Sequence, residues 1–265
     1  MCGRDCCRSG GHDEKTPVNR GEVAINEVLD DEIRRRRTGM NYEIIGGTFP
    51  AVRCTLNRGE AMKCEGGSMS WMDREIKMST EGGGGIGKAL GRALSGERIF
   101  FNRFESASDG QEIVFASSFP GSILAVDLAQ GQSIIAQKDS FLTCEESVDV
   151  AVHVHEKVGG GLFGGMGFIM QKFTGPGTVF LEIDGSIQQY ELAAGEVKVI
   201  DGPHLAILGG GVSFKIERIK GVKNIMFGGE GLFNTIVQGP GKVWLQTMPI
   251  SNVAMAISRY IPESD

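Results

Sequence analysis

The sequence predicts an all-β protein made of three copies of one module, and three observations carry that prediction. Segments recur at a fixed offset of 64 residues: Leu162-Phe163-Gly164-Gly165 returns as Met226-Phe227-Gly228-Gly229, Gly175-Pro176-Gly177 as Gly239-Pro240-Gly241, and Val179-Phe180-Leu181 as Val243-Trp244-Leu245. An opening of the form Leu-x-x-Gly-Glu/Gln occurs three times, at 56–60, 128–132 and 192–196. Short runs rich in Val, Ile and Phe alternate with Gly, Asp-Gly and Gly-Pro-Gly, the spacing of a sandwich, jelly roll or barrel. A repeat this long is a folding unit. Equivalent copies are expected at equivalent places about a pseudo-threefold axis.

The elements follow in order. Residues 1–39 are polar and charge-balanced, with eight Lys/Arg against eight Asp/Glu. They read as a disordered extension or an over-called start, in which Glu22–Arg37 could form a short helix ending in solvated arginines. From Met40 the β pattern begins, and residues 40–265 read as one domain. Its repeats cover about 40–127, 128–191 and 192–250, followed by a C-terminal helix over 251–261 that Pro262 stops. Ile86–Leu94 has the spacing of a short helix in the first repeat. Asp184-Gly185, between Val179–Ile183 and Ile187–Leu192, carries a two-residue hairpin signal, and Asp109-Gly110 before Glu112–Ala116 is comparable. Lys198–Ile200, Leu205–Leu208 and Val212–Ile216 read as three further strands.

Composition narrows the function. The net charge of −6 resides wholly in the repeat domain, which removes the basic footprint of a phosphate-backbone binder and argues against a nucleic-acid partner. No apolar run approaches the ~18 residues of a membrane-spanning helix, and no signal core or transit-like leader opens the chain. The expected location is cytoplasmic, with the mitochondrion as the alternative in a eukaryotic host. Cys54, Cys64 and Cys144 lie in β-type segments and read as buried, reduced thiols. Cys2, Cys6 and Cys7 lack a partner pair at zinc spacing.

Candidate chemistry is sparse. Gly82-x4-Gly87-Lys88 matches a phosphate loop except at its last position, where Ala89 replaces the magnesium-binding hydroxyl. His153 and His155 alternate as strand neighbours on one face do, and with His204 they form the candidate metal set. The glutamate and second motif of a cupin are missing, so neither a metal nor a cofactor is expected. No nucleophile elbow is present, and no enzymatic activity is expected. The more telling feature is an apolar glycine segment in each copy, at 82–96, 158–168 and 225–233. Lys88 and Arg92 lie on one side of the short helix, opposite much of Ile86, Leu90 and Leu94. Together with Leu162, Phe163, Met226 and Phe227 they form the candidate interaction surface, an apolar rim suited to assembly or membrane contact.

The run Leu90–Phe101, the Gly175-Pro176-Gly177 turn and the tripled opening resemble the altered-inheritance-of-mitochondria protein 24 family, over about Met40 to Pro262. That resemblance implies a β barrel or sandwich like that of the tryptophan RNA-binding attenuation protein (TRAP), three modules in one chain and no established enzymatic activity. The function read from all of this is a self-associating scaffold or interaction protein, a homo-oligomer with an unidentified protein partner and a peripheral membrane contact. The alternative is a small-molecule- or metal-binding jelly roll using His153, His155 and His204.

Overall fold

The computed structural model describes residues 40–82, 100–156, 168–218, 233–258 and 260–261, which all fall within the unit Met40–Asp265. After β1 (Asn41–Ile45), the strands fall into three sets of six. The first set is β2 (Ala51–Leu56), β3 (Ala61–Cys64), β4 (Met69–Met72), β5 (Ile76–Gly82), β6 (Phe100–Ser106) and β7 (Gln111–Ala116). The second is β8 (Gly121–Leu128), β9 (Ser133–Gln137), β10 (Phe141–Glu145), β11 (Asp149–Glu156), β12 (Phe168–Thr174) and β13 (Gly177–Asp184). The third is β14 (Ile187–Leu192), β15 (Val197–Asp201), β16 (Leu205–Leu208), β17 (Ser213–Arg218), β18 (Phe233–Gln238) and β19 (Gly241–Gln246). A helix, α1 (Ile250–Ser258), follows the last set.

Each set divides itself between two sheets. Its first, sixth and third strands pair side by side, and its fourth, fifth and second strands pair in another sheet. The second strand of one set then meets the third strand of the next. β3 pairs β10 with Cys144 opposite Lys63, and β9 pairs β16 with Leu208 opposite Ile135. These two seams create the six-stranded sheets β5-β6-β3-β10-β13-β8 and β11-β12-β9-β16-β19-β14. The flanking sheets, β1-β2-β7-β4 and β15-β18-β17, hold the remaining halves. All pairings described are antiparallel.

A closed TRAP-like barrel is therefore not what forms: among the described residues every sheet ends in two edges. Pairing propagates from each set to the next instead of returning onto itself, so the array stops where the chain runs out of sets. The Asp184-Gly185 hairpin is corrected as well. Gly185 takes the positive φ of 74° that favours glycine, yet β13 pairs β10 and β8 while β14 pairs β19. The turn carries the chain from one sheet to another. Asp109-Gly110 does the same between β6, paired with β3 and β5, and β7, paired with β2 and β4.

The tripled opening has a mechanical reason. Gly59, Gly131 and Gly195 adopt φ of 84°, 76° and 79°. The following Glu60, Gln132 and Glu196 turn their side chains back onto the amides of Asn57, Ala129 and Ala193 at 2.7, 3.1 and 2.9 Å. The pattern specifies a turn with its own acceptor, which satisfies a backbone donor that no strand reaches.

Among the described residues apolar side chains gather in three clusters, none confined to one set. The first joins Val52, Met62 and Phe115 to Ile123, Leu142 and Phe180 from the second set. The second adds Ala206 and Ile207 of the third set to Phe173, Val179 and Leu181. The third adds Met170 of the second set to Leu205, Leu208 and Val243. Tyr42 on β1 meets Phe180 on β13 edge to face at 4.9 Å, which locks the first sheet onto the second. Full burial of one such side chain contributes about 1.5–3 kcal/mol, so neighbouring sets stabilise each other.

Candidate interaction surfaces

Every residue of the expected apolar rim (Ile86, Lys88, Leu90, Arg92, Leu94, Leu162, Phe163, Met226 and Phe227) lies outside the described residues. What the structure does give is the attachment of those segments. They connect β5 to β6, β11 to β12 and β17 to β18, and each of these pairs is an antiparallel ladder between the fourth and fifth strands of its set. The expected short helix over Ile86–Leu94 also lies outside the described residues. The C-terminal helix runs over Ile250–Ser258, and its amide at Ile250 is capped by Asp184 Oδ2 at 2.8 Å. It buries no residue, and Ile250, Met255 and Ile257 are exposed.

The histidines divide. His204 stands in a 3-10 turn, Gly202–His204, with Nδ1 at 2.8 Å from the carbonyl of Gln246 and Nε2 at 3.2 Å from Asn252 Nδ2. Both ring nitrogens are engaged in tying α1 and β19 to the turn. His153 is exposed on β11 beside the Phe214 ring, 6.1 Å away. A register shift between Val152 and Val154 interrupts the ladder at His153, and the side chain of His155 lies outside the described residues. Among the described residues no group of three or more His, Cys, Asp or Glu is placed to hold a metal ion.

The inward-turned polar groups serve the backbone. Glu182 accepts hydrogen bonds from Ser117 Oγ, Ser118 N and Ser118 Oγ at 2.8, 2.8 and 3.0 Å. Glu145 accepts from the amide of Thr178 at 2.5 Å, while burial pushes its carboxyl above the ordinary range. Burial likewise raises the thiols of Cys64, to about 11, and Cys144, to about 12, so neither is a thiolate nucleophile at neutral pH. Among the described residues no helix is long and apolar enough to cross a membrane.

Exposed apolar side chains also stand on two strands outside the expected rim. On β4 Trp71 is 52% exposed, and on β15 Val197 and Val199 are 53% and 59% exposed. At the seams Thr143 and Ile207, in the position of Trp71, are both 0% exposed, and Lys63 and Ile135, in the position of Val199, are half-buried. Aligning the three copies strand by strand would have exposed the contrast, because Trp71 and Val199 occupy places where the other copies pair across a seam.

These features define a class, an all-β protein of serially joined modules whose terminal sheets, among the described residues, end in exposed apolar edges. The chain belongs to the family described as "Mitochondrial biogenesis AIM24", which matches residues 42–248. It is 30% identical over 224 residues to an uncharacterized protein of Streptococcus pyogenes serotype M6, spanning 82% of this chain and 88% of that one. It is similar also to a crystal structure of a Streptococcus pyogenes protein, with a TM-score of 0.69 and 25% identity over 84% of this chain and 100% of that chain.

Proposed function

We propose that the protein is a non-enzymatic scaffold that works through its surfaces, associates with itself, and touches membranes peripherally. The observation that carries this reading is the exposure of Trp71, Val197 and Val199 on strands whose counterparts in the same chain pair with a neighbouring set. Large apolar side chains on an open strand edge template pairing with another chain. The described polar groups support the reading from the other side, because His204, Glu145 and Glu182 are committed to holding the backbone. The bacterial relatives favour a cytoplasmic setting, and the three glycine segments supply the membrane contact of the proposal.

Flotation with anionic vesicles and light scattering across a concentration series test the two halves. The expected outcome is a species larger than the 28.4 kDa chain and partial recovery with vesicles, the latter lost on Leu90→Asp with Phe163→Asp. A protein that stays monomeric at every concentration and never floats would refute the proposal.

A further inference from the structure

We infer that β15 of one copy pairs with β4 of a second copy, giving head-to-tail assembly through a third seam of the kind the chain already forms twice. This rests on the self-association proposed above and assigns it a surface and a partner, another molecule of the same protein.

The topology carries the inference. Each internal seam joins a fourth-fifth-second half-sheet to a third-sixth-first half-sheet of the next set, and both seams yield the same six-strand order. Two half-sheets remain. The last sheet, β17-β18-β15, is a fourth-fifth-second half ending in its second strand. The first sheet contains β4-β7-β2, a third-sixth-first half ending in its third strand, with β1 added beyond. Joined β15 to β4, they complete one more six-stranded order. Among the described residues β4 pairs only with β7 and β15 only with β18.

The register is fixed by the seams in hand. Cys144 faces Lys63 and Glu145 faces Met62 at one; Leu208 faces Ile135 and Ile207 faces Ala136 at the other. Carried through the repeat, this places Met72 opposite Val199, Trp71 opposite Ile200, and Asp73 opposite Lys198. The apolar residues thus meet apolar residues, and the one charged pair has opposite signs, which favours a strand pair. Exposure agrees with an absent neighbour. β10 and β16 are buried nearly throughout, whereas β4 is half-buried to exposed along its length. An interface whose two faces differ is heterologous, so each copy presents one donor edge and one acceptor edge.

That asymmetry gives the test. Val199→Lys blocks the β15 edge and Trp71→Lys blocks the β4 edge, each at a side chain more than half exposed, where a charge deters edge pairing without entering the core. Light scattering with chromatography should show wild type at two chains or more, and each variant alone at one chain with an unchanged circular dichroism spectrum. An equimolar mixture of the two variants should return to two chains and stop there, because only one functional edge of each kind remains. Should Trp71→Lys fail to fold, excess Val199→Lys added to wild type should cap its β15 edges and hold it at two chains. A monomeric wild type overturns this inference and the self-association reading together. An oligomer that both variants leave intact, or variants that become monomeric but do not complement, overturns the inference alone.

Discussion

The two internal seams have one backbone and two chemistries. Both pair a second strand with the next set's third strand in the same register. At the later seam the facing residues are Ala136 and Ile135 against Ile207 and Leu208, all apolar. At the earlier seam Lys63 faces Cys144, and its Nζ donates to the carbonyls of Glu146, at 3.2 Å, and Val148. Thr143 Oγ1 donates to the Lys63 carbonyl at 3.1 Å, and Arg103 on β6 holds Glu146 through two hydrogen bonds of 2.5 and 3.0 Å. The ladder register places Lys172 at the position of Arg103, and the repeat places Gly210 at that of Glu146, so the later seam has no such pair. Seam geometry is thus a property of the module, while the force holding it is set locally, by burial at one seam and by directed polar contacts at the other.

The largest expected effect separates the seams at equivalent buried positions. Leu208→Ala should cost about 2–5 kcal/mol, since it leaves a cavity among Leu205, Val243 and Met170. Cys144→Ala removes a single sulfur atom and should cost clearly less. Chemical denaturation of both variants measures the difference, and equal losses would mean that the later seam does not depend on burial. A smaller effect should follow Lys63→Met, which keeps the stem but strips the donors from two carbonyls and the charge from above the Phe101 ring, 5.8 Å away. A loss of about 1–2 kcal/mol is expected. A variant as stable as wild type would show that water satisfies those carbonyls.

Much of this architecture is legible in the residues, and the parts that are not share a cause. The tripled Leu-x-x-Gly-Glu/Gln is readable because its glycine φ and its side-chain acceptor act within one turn. The strands at 197–201, 205–208 and 213–218 are readable for the same local reason. Asp184-Gly185 misleads because a turn signature specifies how the backbone reverses, while the choice of sheet depends on strands far along the chain. Barrel closure misleads likewise, since three similar modules are compatible with a closed ring or an open array. Trp71 and Val199 look like ordinary core residues of a strand. Only their position at the end of the array leaves them exposed. His204 reads as a ligand candidate because its partners, Gln246 and Asn252, come from elements 42 and 48 residues away.

The finest distinction between the seams is electrostatic and should appear in their response to pH and salt. The hydrogen bonds from Arg103 hold the Glu146 carboxyl below its ordinary range, with the Arg103 charge adding to the effect. A carboxylate whose folded-state value is depressed contributes stability above its unfolded value and loses it as pH falls through the folded one. Glu146 is about half exposed, and solvent screening limits such a pair to about 1 kcal/mol or less. Glu146→Gln should therefore be slightly less stable than wild type at pH 7, and the gap should close as the pH is taken well below 4.5, the ordinary value. It should also narrow in molar salt, where the screening length falls to about 3 Å. The loss in Leu208→Ala, made of apolar contacts alone, should hold constant across the same pH range. Urea midpoints for both variants at pH 7 and pH 3, with and without salt, decide the matter. If the Glu146→Gln deficit survives at pH 3, the early seam does not depend on this ion pair, and the contrast between the seams reduces to Lys63.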